Sequence, residues 1–330
     1  MSLAFGLVMP IVARGLPAGR LLHELVAEAQ EAERAGFDLI WVSEHHQGPR
    51  GSLTDPITVA AWLLARTDRI KVGTGVLLAP LHHPVRLAEQ AAILQEASLG
   101  RFVLGLGAGY QQVDFTMFGR DRDHRRDALE ATVEVLRKAW SGDRVAGYKV
   151  APQSQGAPPP IWLGAWSRWG VRAAARWAEG WIADPIRTEA EVEEMASWYG
   201  AAAAAAGVRA RIHLMRHLWV GADAENARHQ YAPYVEPVYR YHLKGGALGE
   251  RQDLEADDIA ISRALDRLVI CGSPAEVSNR VAGFMERTGA EGCSFALRHP
   301  AGPSHEAVAN AIRLLGAEVL PVLRARIRAA

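Results

Sequence analysis

Leu39-Ile40-Trp41-Val42-Ser43-Glu44-His45-His46 is the stretch that decides how this 330-residue chain is read. Its first four residues form an apolar run typical of a buried strand. The run stops abruptly in one carboxylate and two imidazoles, so the chain leaves its core there and enters a cleft. Imidazole titrates near neutrality, and a histidine in a cleft can move protons at physiological pH.

Working outward, strand and helix signals alternate. Phe5 to Met9 is a short apolar run, and Arg20 to Ala35 carries Leu21, Leu25, Ala29 and Ala32 at helical spacing before Gly36. Pro56 to Arg66 is expected to be a helix, Ile70 to Leu78 a third strand, and Pro84 to Ser98 a helix opened by its proline. Phe102 to Leu106 is a fourth strand, followed by a helix with Leu129, Val133, Leu136 and Trp140 on one face. Pro160 to Gly164, Trp181 to Asp184, Ile212 to Val220 and Cys293 to Leu297 read as further strands. The helices expected between and after them are Val171 to Ala178, Thr188 to Ala206, one opened by the capping box Ser273-Pro274-Ala275-Glu276, and His305 to about Arg328. Strands alternating with helices give a parallel sheet, and about eight such units fit a closed (βα)8 TIM barrel, an α/β fold. The chain is expected to be a single domain spanning 1–330, with insertions after strands four and seven at about 142–159 and 243–262. An open sheet would need a Gly-rich dinucleotide turn near its start. Gly105-x-Gly107-x-Gly109 falls in the fourth unit, with its third glycine one residue early.

Lys+Arg and Asp+Glu balance at 37 each, so no basic field points to nucleic acid or to a membrane surface. The apolar start lacks a basic n-region, no run approaches a bilayer-spanning length, and a cytoplasmic protein is expected. Cys271 and Cys293 are isolated within or beside apolar segments and read as buried thiols.

In such barrels the active site lies at the C-terminal ends of the strands. Those ends read Met9-Pro10, Glu44-His45-His46, Leu78-Ala79-Pro80, Gly107-Ala108-Gly109-Tyr110, Gly164-Ala165-Trp166-Ser167 and Arg298-His299. The mouth has few charges and many small residues, which lets a flat ligand lie against backbone. Helix N-termini after strands four and five suit an anionic tail, with Ser167 and Arg168 as candidates. Trp166, placed in the loop itself, is expected to wall the pocket. His45, His46, His82 and His83 raise the question of a metal centre. Barrel metallohydrolases, however, begin with a His-x-His pair where this chain has Met9-Pro10. Adjacent strand residues also point to opposite sides, which allows one histidine of each pair to face the mouth. His82-His83-Pro84 reads as the capped start of a helix, and no metal is expected.

Read together, these segments resemble the bacterial luciferase-like family of flavin-dependent monooxygenases and oxidoreductases. The resemblance is carried by Trp41 to His46, Gly73-Thr74-Gly75-Val76-Leu77, His83 to Gln90, Gly100 to Gly109 and Cys271 to Val277, in family order. It implies reduced FMN or the deazaflavin coenzyme F-420 lying across the mouth. The ring would rest on a bulge or cis peptide within Thr74 to Ala79, with Thr74, Gly75 and Ala79 near it. Ala108, Gly109 and Tyr110, with Gly164, Ala165, Trp166 and Ser167, would take the ribityl-phosphate tail. His45 would act as the catalytic base beside the flavin, and Glu44 would orient it or pair with a neighbouring cation. Met9 and Arg298 would meet the substrate.

Glu-His-His after strand two resembles the FMN-using members. Ala108 stands where the luciferase subunit has a phosphate-binding arginine, and Gly105 to Gly109 is common among deazaflavin enzymes. The expected activity is FMN-dependent monooxygenation of a small organic substrate with O2. Reduced FMN would be supplied by a separate reductase, because no nicotinamide fingerprint is present. The alternatives are F-420-dependent hydride transfer and a non-catalytic flavin-binding protein. The resemblance also implies a homodimer through helices near strands two and three.

Overall fold

A computed structural model describes residues 4–12, 15–46, 52–153, 156–244, 265 and 267–329. Its barrel strands are β1 (Phe5–Met9), β2 (Leu39–Val42), β3 (Lys71–Thr74), β4 (Phe102–Gly107), β5 (Ile161–Gly164), β6 (Gly180–Ala183), β7 (Ile212–Val220) and β8 (Gly292–Ala296). Each pairs in parallel with the next, and β8 pairs with β1 in the register Phe5↔Cys293, closing the ring. The helices are α1 (Ala18–Arg34), α2 (Pro56–Leu64), α3 (Pro84–Ala97), α4 (Gln112–Met117), α5 (Arg125–Ser141) and α6 (Arg168–Trp177). They continue with α7 (Glu189–Ala206), α8 (Ala224–Lys244), α9 (Pro274–Thr288), α10 (His305–Leu314) and α11 (Leu320–Ala329). The expected closed α/β barrel is therefore the observed fold.

Two apolar layers hold it. Outward-facing strand residues such as Leu7, Ile40, Leu104 and Leu214 pack on the helices. Inward-facing residues fill the barrel: Leu39 and Trp41, Val103, Trp162, Ile182 and Met215 form one buried cluster. This is the period-two alternation of a strand whose two faces are both covered. Burying each large side chain contributes roughly 1.5–3 kcal/mol. Room for the tryptophans comes from missing side chains: a Cβ on Gly180 would lie 2.2 Å from the Trp162 ring.

Helix boundaries follow local chemistry. Ser273 caps α9 and Glu276 returns the bond to the Ser273 N–H, as the sequence signals, and Thr188 with Glu191 repeats the box at α7. The last helical stretch is interrupted by a π-type turn at Leu315–Val319.

Two expectations change, the continuity of the third strand and the full burial of Cys271. The third strand is not continuous over 70–78: it breaks after Thr74 at a cis Gly75-Val76 peptide and resumes as Leu77–Leu78, which pairs with β4. The segment 142–159 holds a small antiparallel hairpin, Arg144–Val145 with Tyr148–Lys149. The second expected insertion, 243–262, lies outside the described residues except for the end of α8. Both cysteines are free; Cys293 is buried, whereas Cys271 is only partly so. Burial raises their thiol pKa values, to about 12 for Cys293 and about 11 for Cys271.

Candidate active site

The C-terminal rim of the barrel opens into a cavity of about 530 Å³, well within the range of small-molecule sites. It is lined by the loops after β1, β2, β4, β5 and β8, and by α8. Glu44, His45, Gly75, Ala108, Gly109, Tyr110, Gly164, Ala165, Trp166 and Ser167 all reach it, as the strand ends suggest. Trp166 meets Tyr110 edge-on at 5.2 Å and forms an aromatic wall.

The floor is shaped by the break in β3. Val76 sits against β4 and β5, where Gly107 and Gly164 leave space for it. A Cβ on either glycine would come within 2.6 Å of a Val76 methyl. The bare backbone of Gly107 to Gly109 and of Gly164 forms the neighbouring rim. A planar ring system resting on Val76 and passing its tail along these backbones fits this cradle.

His45 borders the cavity and is not fully enclosed. Desolvation pulls its pKa below the ordinary value, opposed by the charges of Asp114 and Glu44. It is therefore an uncharged base at neutral pH, with a buried carboxylate nearby to favour the imidazolium once a proton arrives. Asp114 is 4% exposed and lies on α4, outside any motif in the strand ends.

Glu44 does not hydrogen-bond His45. Its Oε1 lies 2.9 Å from both His46 Nε2 and His82 Nε2, and its Oε2 accepts the Leu78 N–H at 2.5 Å. Burial acts to raise the Glu44 pKa, but these hydrogen bonds and the charge of His82 overcome it, leaving it below the usual carboxylate value. Glu44 thus pairs with its neighbours and fastens the loop after β2 to the interrupted strand β3.

Two expectations about the histidines fail here. His45 and His46 both line the cavity, because β2 ends at Val42 and strand alternation no longer governs residues 43–46. His82 does not cap α3: His83 is the N-cap and makes no side-chain cap bond, while His82 reaches Glu44.

Other expected contacts are displaced by one residue. Met9 is 2% exposed and packs outward with the helices, while its neighbours Val8 and Pro10 face the cavity. Thr74 is fully buried: its hydroxyl donates to the Gly105 carbonyl at 2.7 Å and accepts the Gly105 N–H at 3.0 Å, joining β3 to β4. Ala79 is also buried in the core, and Leu78 takes its place at the rim. Arg298 lines the cavity, yet its guanidinium is bound to Glu24 and Glu28 of α1, so it presents no free cation. Glu24, Glu28 and His305 are the one group of ligand-type side chains gathered closely among the described residues, and that arginine bridges its two carboxylates. Arg168 lies over Trp198 at 5.7 Å, away from the cavity lining.

Cations at the rim come instead from Arg125 and Arg126 of α5. The Arg126 guanidinium stands 5.0 Å over the Trp169 ring, beside the first turn of α6. That turn is capped by Ser167, whose hydroxyl accepts the Gly170 N–H at 3.2 Å. Guanidinium, hydroxyl and helix N-terminus together suit a phosphate.

The largest omission is α8. Pro233 and Pro237 inside it hide its periodicity, although Ala227, Tyr231, Val235 and Tyr239 recur every fourth residue and are all buried. Its other face brings Tyr234, Val238, Tyr241 and His242 to the cavity.

Comparison with known proteins places this geometry among related ones. The family described as luciferase-like monooxygenase matches residues 3–292. The alkanal monooxygenase alpha chain of Photorhabdus luminescens is 31% identical over 194 residues, 53% of this chain and 53% of that protein. The match thus spans about half the length of that curated relative. Among solved structures, monooxygenase RslO1 from Streptomyces bottropensis is similar with a TM-score of 0.83 and 26% identity, covering 96% of this chain and 99% of that one. The oxygenating constituent of 3,6-diketocamphane monooxygenase from Pseudomonas putida, in complex with FMN, shares the fold at a TM-score of 0.79 and 21% identity, covering 97% and 99%.

Proposed function

Because the chain belongs to the luciferase-like monooxygenase family, we propose that it is a flavin-dependent monooxygenase, using reduced FMN and O2 to oxygenate a small organic substrate. One observation carries the reading: the His45 imidazole borders a rim cavity lined also by Val76, by Arg126 and by the capped N-terminus of α6.

Bound reduced FMN supplies the electrons that activate O2 for transfer of one oxygen atom to the substrate. The chain's own residues do the rest. Val76, Gly75 and the backbone at Gly107 to Gly109 support the ring. Ser167, Arg126 and the N–H groups opening α6 hold the phosphate, supplying the charge absent at Ala108. The aromatic wall and α8 limit water at the reacting centre. His45 takes up and returns a proton, and the Asp114 carboxylate stabilises the protonated ring. Glu44, through His46 and His82, keeps the His45 loop in place.

In this reading the chain is a single catalytic barrel, and a separate reductase delivers the reduced flavin. Dependence on a diffusible reduced flavin suits the cytoplasm, and no described helix is long and apolar enough to cross a membrane. A homodimer through α2 and α3 would cover Trp62 and Ile93, which are 38% and 53% exposed.

The test is anaerobic titration with reduced FMN and, separately, with reduced F-420, followed by admission of O2. Tight binding of reduced FMN and O2 uptake exceeding that of free flavin support the proposal. Binding of F-420 alone, with no O2 consumed, replaces it with hydride transfer.

A further inference from the structure

Three further imidazoles line the cavity, from β7, α8 and the loop after β8: His217, His242 and His299. The His217 and His299 rings meet edge-on at 4.9 Å. Each of the three is tied on one nitrogen to a tyrosine, and at His299 the tyrosine partner fixes which nitrogen carries the hydrogen.

The Tyr231 hydroxyl donates its only hydrogen to the Ala296 carbonyl, so His299 Nε2, 2.6 Å away, must be the donor to that oxygen. An uncharged His299 then keeps Nδ1 as an acceptor. His217 Nδ1 lies 2.9 Å from the Tyr239 hydroxyl, which engages that nitrogen and leaves Nε2 for a ligand. At His242, Nδ1 lies 3.4 Å from the Tyr110 hydroxyl, which also accepts the Gln111 amide at 3.2 Å, so Nε2 is the nitrogen left for a ligand.

We propose that His217, His242 and His299 form a substrate-recognition site for an uncharged hydroxyl group carried on a flat, otherwise apolar molecule. A hydroxyl donates to the bare His299 Nδ1 and accepts from His242, whose neutral ring can carry its hydrogen on Nε2, satisfying both of its capacities. The remaining surroundings, with Tyr234, Val238 and Trp166, suit an aromatic skeleton. Burial keeps all three rings uncharged: it pulls His242 and His299 to about 3 and His217 well below its ordinary value. A carboxylate would therefore meet the lone pair on His299 and no charge to offset its desolvation. This assignment rests on reading the cavity as the substrate pocket of the proposed monooxygenase.

The experiment is calorimetric titration of the FMN-saturated protein at pH 7.5 with 2-naphthol, naphthalene and 2-naphthoate, alongside titration with FMN itself. The expected result is 2-naphthol binding about tenfold tighter than naphthalene, the worth of one good hydrogen-bonded pair, with 2-naphthoate no tighter than naphthalene. His299→Phe and His242→Phe should each erase the preference for naphthol while FMN affinity is unchanged. The wild-type comparison needs no variant to fold. FMN binding without a preference for naphthol, or with naphthoate bound best, overturns this inference and leaves the proposed function standing. A naphthol preference without FMN binding does the reverse.

Discussion

Glu44 Oε1 lies 2.9 Å from His82 Nε2, joining the loop after β2 to the residue two places before α3 across 38 positions of sequence. The same oxygen takes His46 Nε2 at 2.9 Å, so one buried carboxylate holds two loops at the edge of the cavity.

Glu44→Gln removes that charge and leaves two imidazoles sharing one neutral acceptor. A loss of about 1–3 kcal/mol is expected, with a signed pH dependence. The Glu44 pKa lies below 4.5, so its contribution is present above that value and is lost as pH falls through the folded-state pKa. The hydrogen bond to Glu44 raises the His46 pKa above 6.5, so its contribution is complete below 6.5 and is lost as pH rises through the folded-state pKa. Both act together between 4.5 and 6.5. Chemical denaturation at several pH values should show the widest gap between wild type and variant in that window. A gap that keeps widening toward pH 9 would contradict the pairing.

His45→Ala should uncouple the reaction. Product formation falls about a hundredfold, a usual share for a positioned acid–base group, while reduced FMN continues to be oxidised. In the wild type, desolvation places the His45 pKa below 6.5, so product formation stays flat from pH 6.5 to 8 and declines only below. Product formed per FMN oxidised is the measurement. An unchanged ratio in the variant removes His45 from the mechanism.

Val76 and Gly164 form a matched pair. A methyl added in Gly164→Ala would meet a Val76 methyl at 2.6 Å. Overpacking of this kind costs about 1–3 kcal/mol and should weaken FMN binding, because the floor of the cavity moves. Val76→Ala on the same chain should recover most of both losses, since the smaller side chain gives the new methyl room. A double variant as impaired as Gly164→Ala alone would show that the two positions do not share that contact.

Much of this site is legible in the sequence because barrel architecture converts strand ends into a rim. Once Leu39 to Val42 is read as a strand, Glu44 and His45 must lie at its C-terminal end, and Gly107 to Tyr110 and Gly164 to Ser167 follow in turn. What escapes is direction within a residue or two. Met9, Thr74 and Ala79 belong to the right segments but turn into packing or backbone bonds, because the break at Gly75-Val76 and the pleat decide which neighbour faces inward. His217 has a readable signal: His213, Met215 and His217 alternate along β7, on the face opposite Leu214 and Leu218. Arg125, Arg126 and Asp114 carry none, since they reach the cavity from helices through tertiary packing.

Arg126 supplies the sharpest remaining test, because phosphate and ring can be separated chemically. FMN and riboflavin share the ring and ribityl chain and differ in the phosphate. If Arg126 and the capped start of α6 hold that phosphate, Arg126→Ala should weaken FMN by about tenfold or more, the value of a charge-assisted hydrogen bond. Riboflavin affinity should be unchanged. The guanidinium also sits over Trp169 at 5.0 Å, a contact worth about 0.5–1 kcal/mol, so a small loss of stability is expected whatever its role in binding. The two ligands separate these effects: a structural disturbance weakens both alike, whereas loss of a phosphate contact weakens FMN alone. Adding salt should reduce wild-type FMN affinity toward that of riboflavin and leave the variant nearly insensitive. Equal weakening of both flavins would move the phosphate away from Arg126.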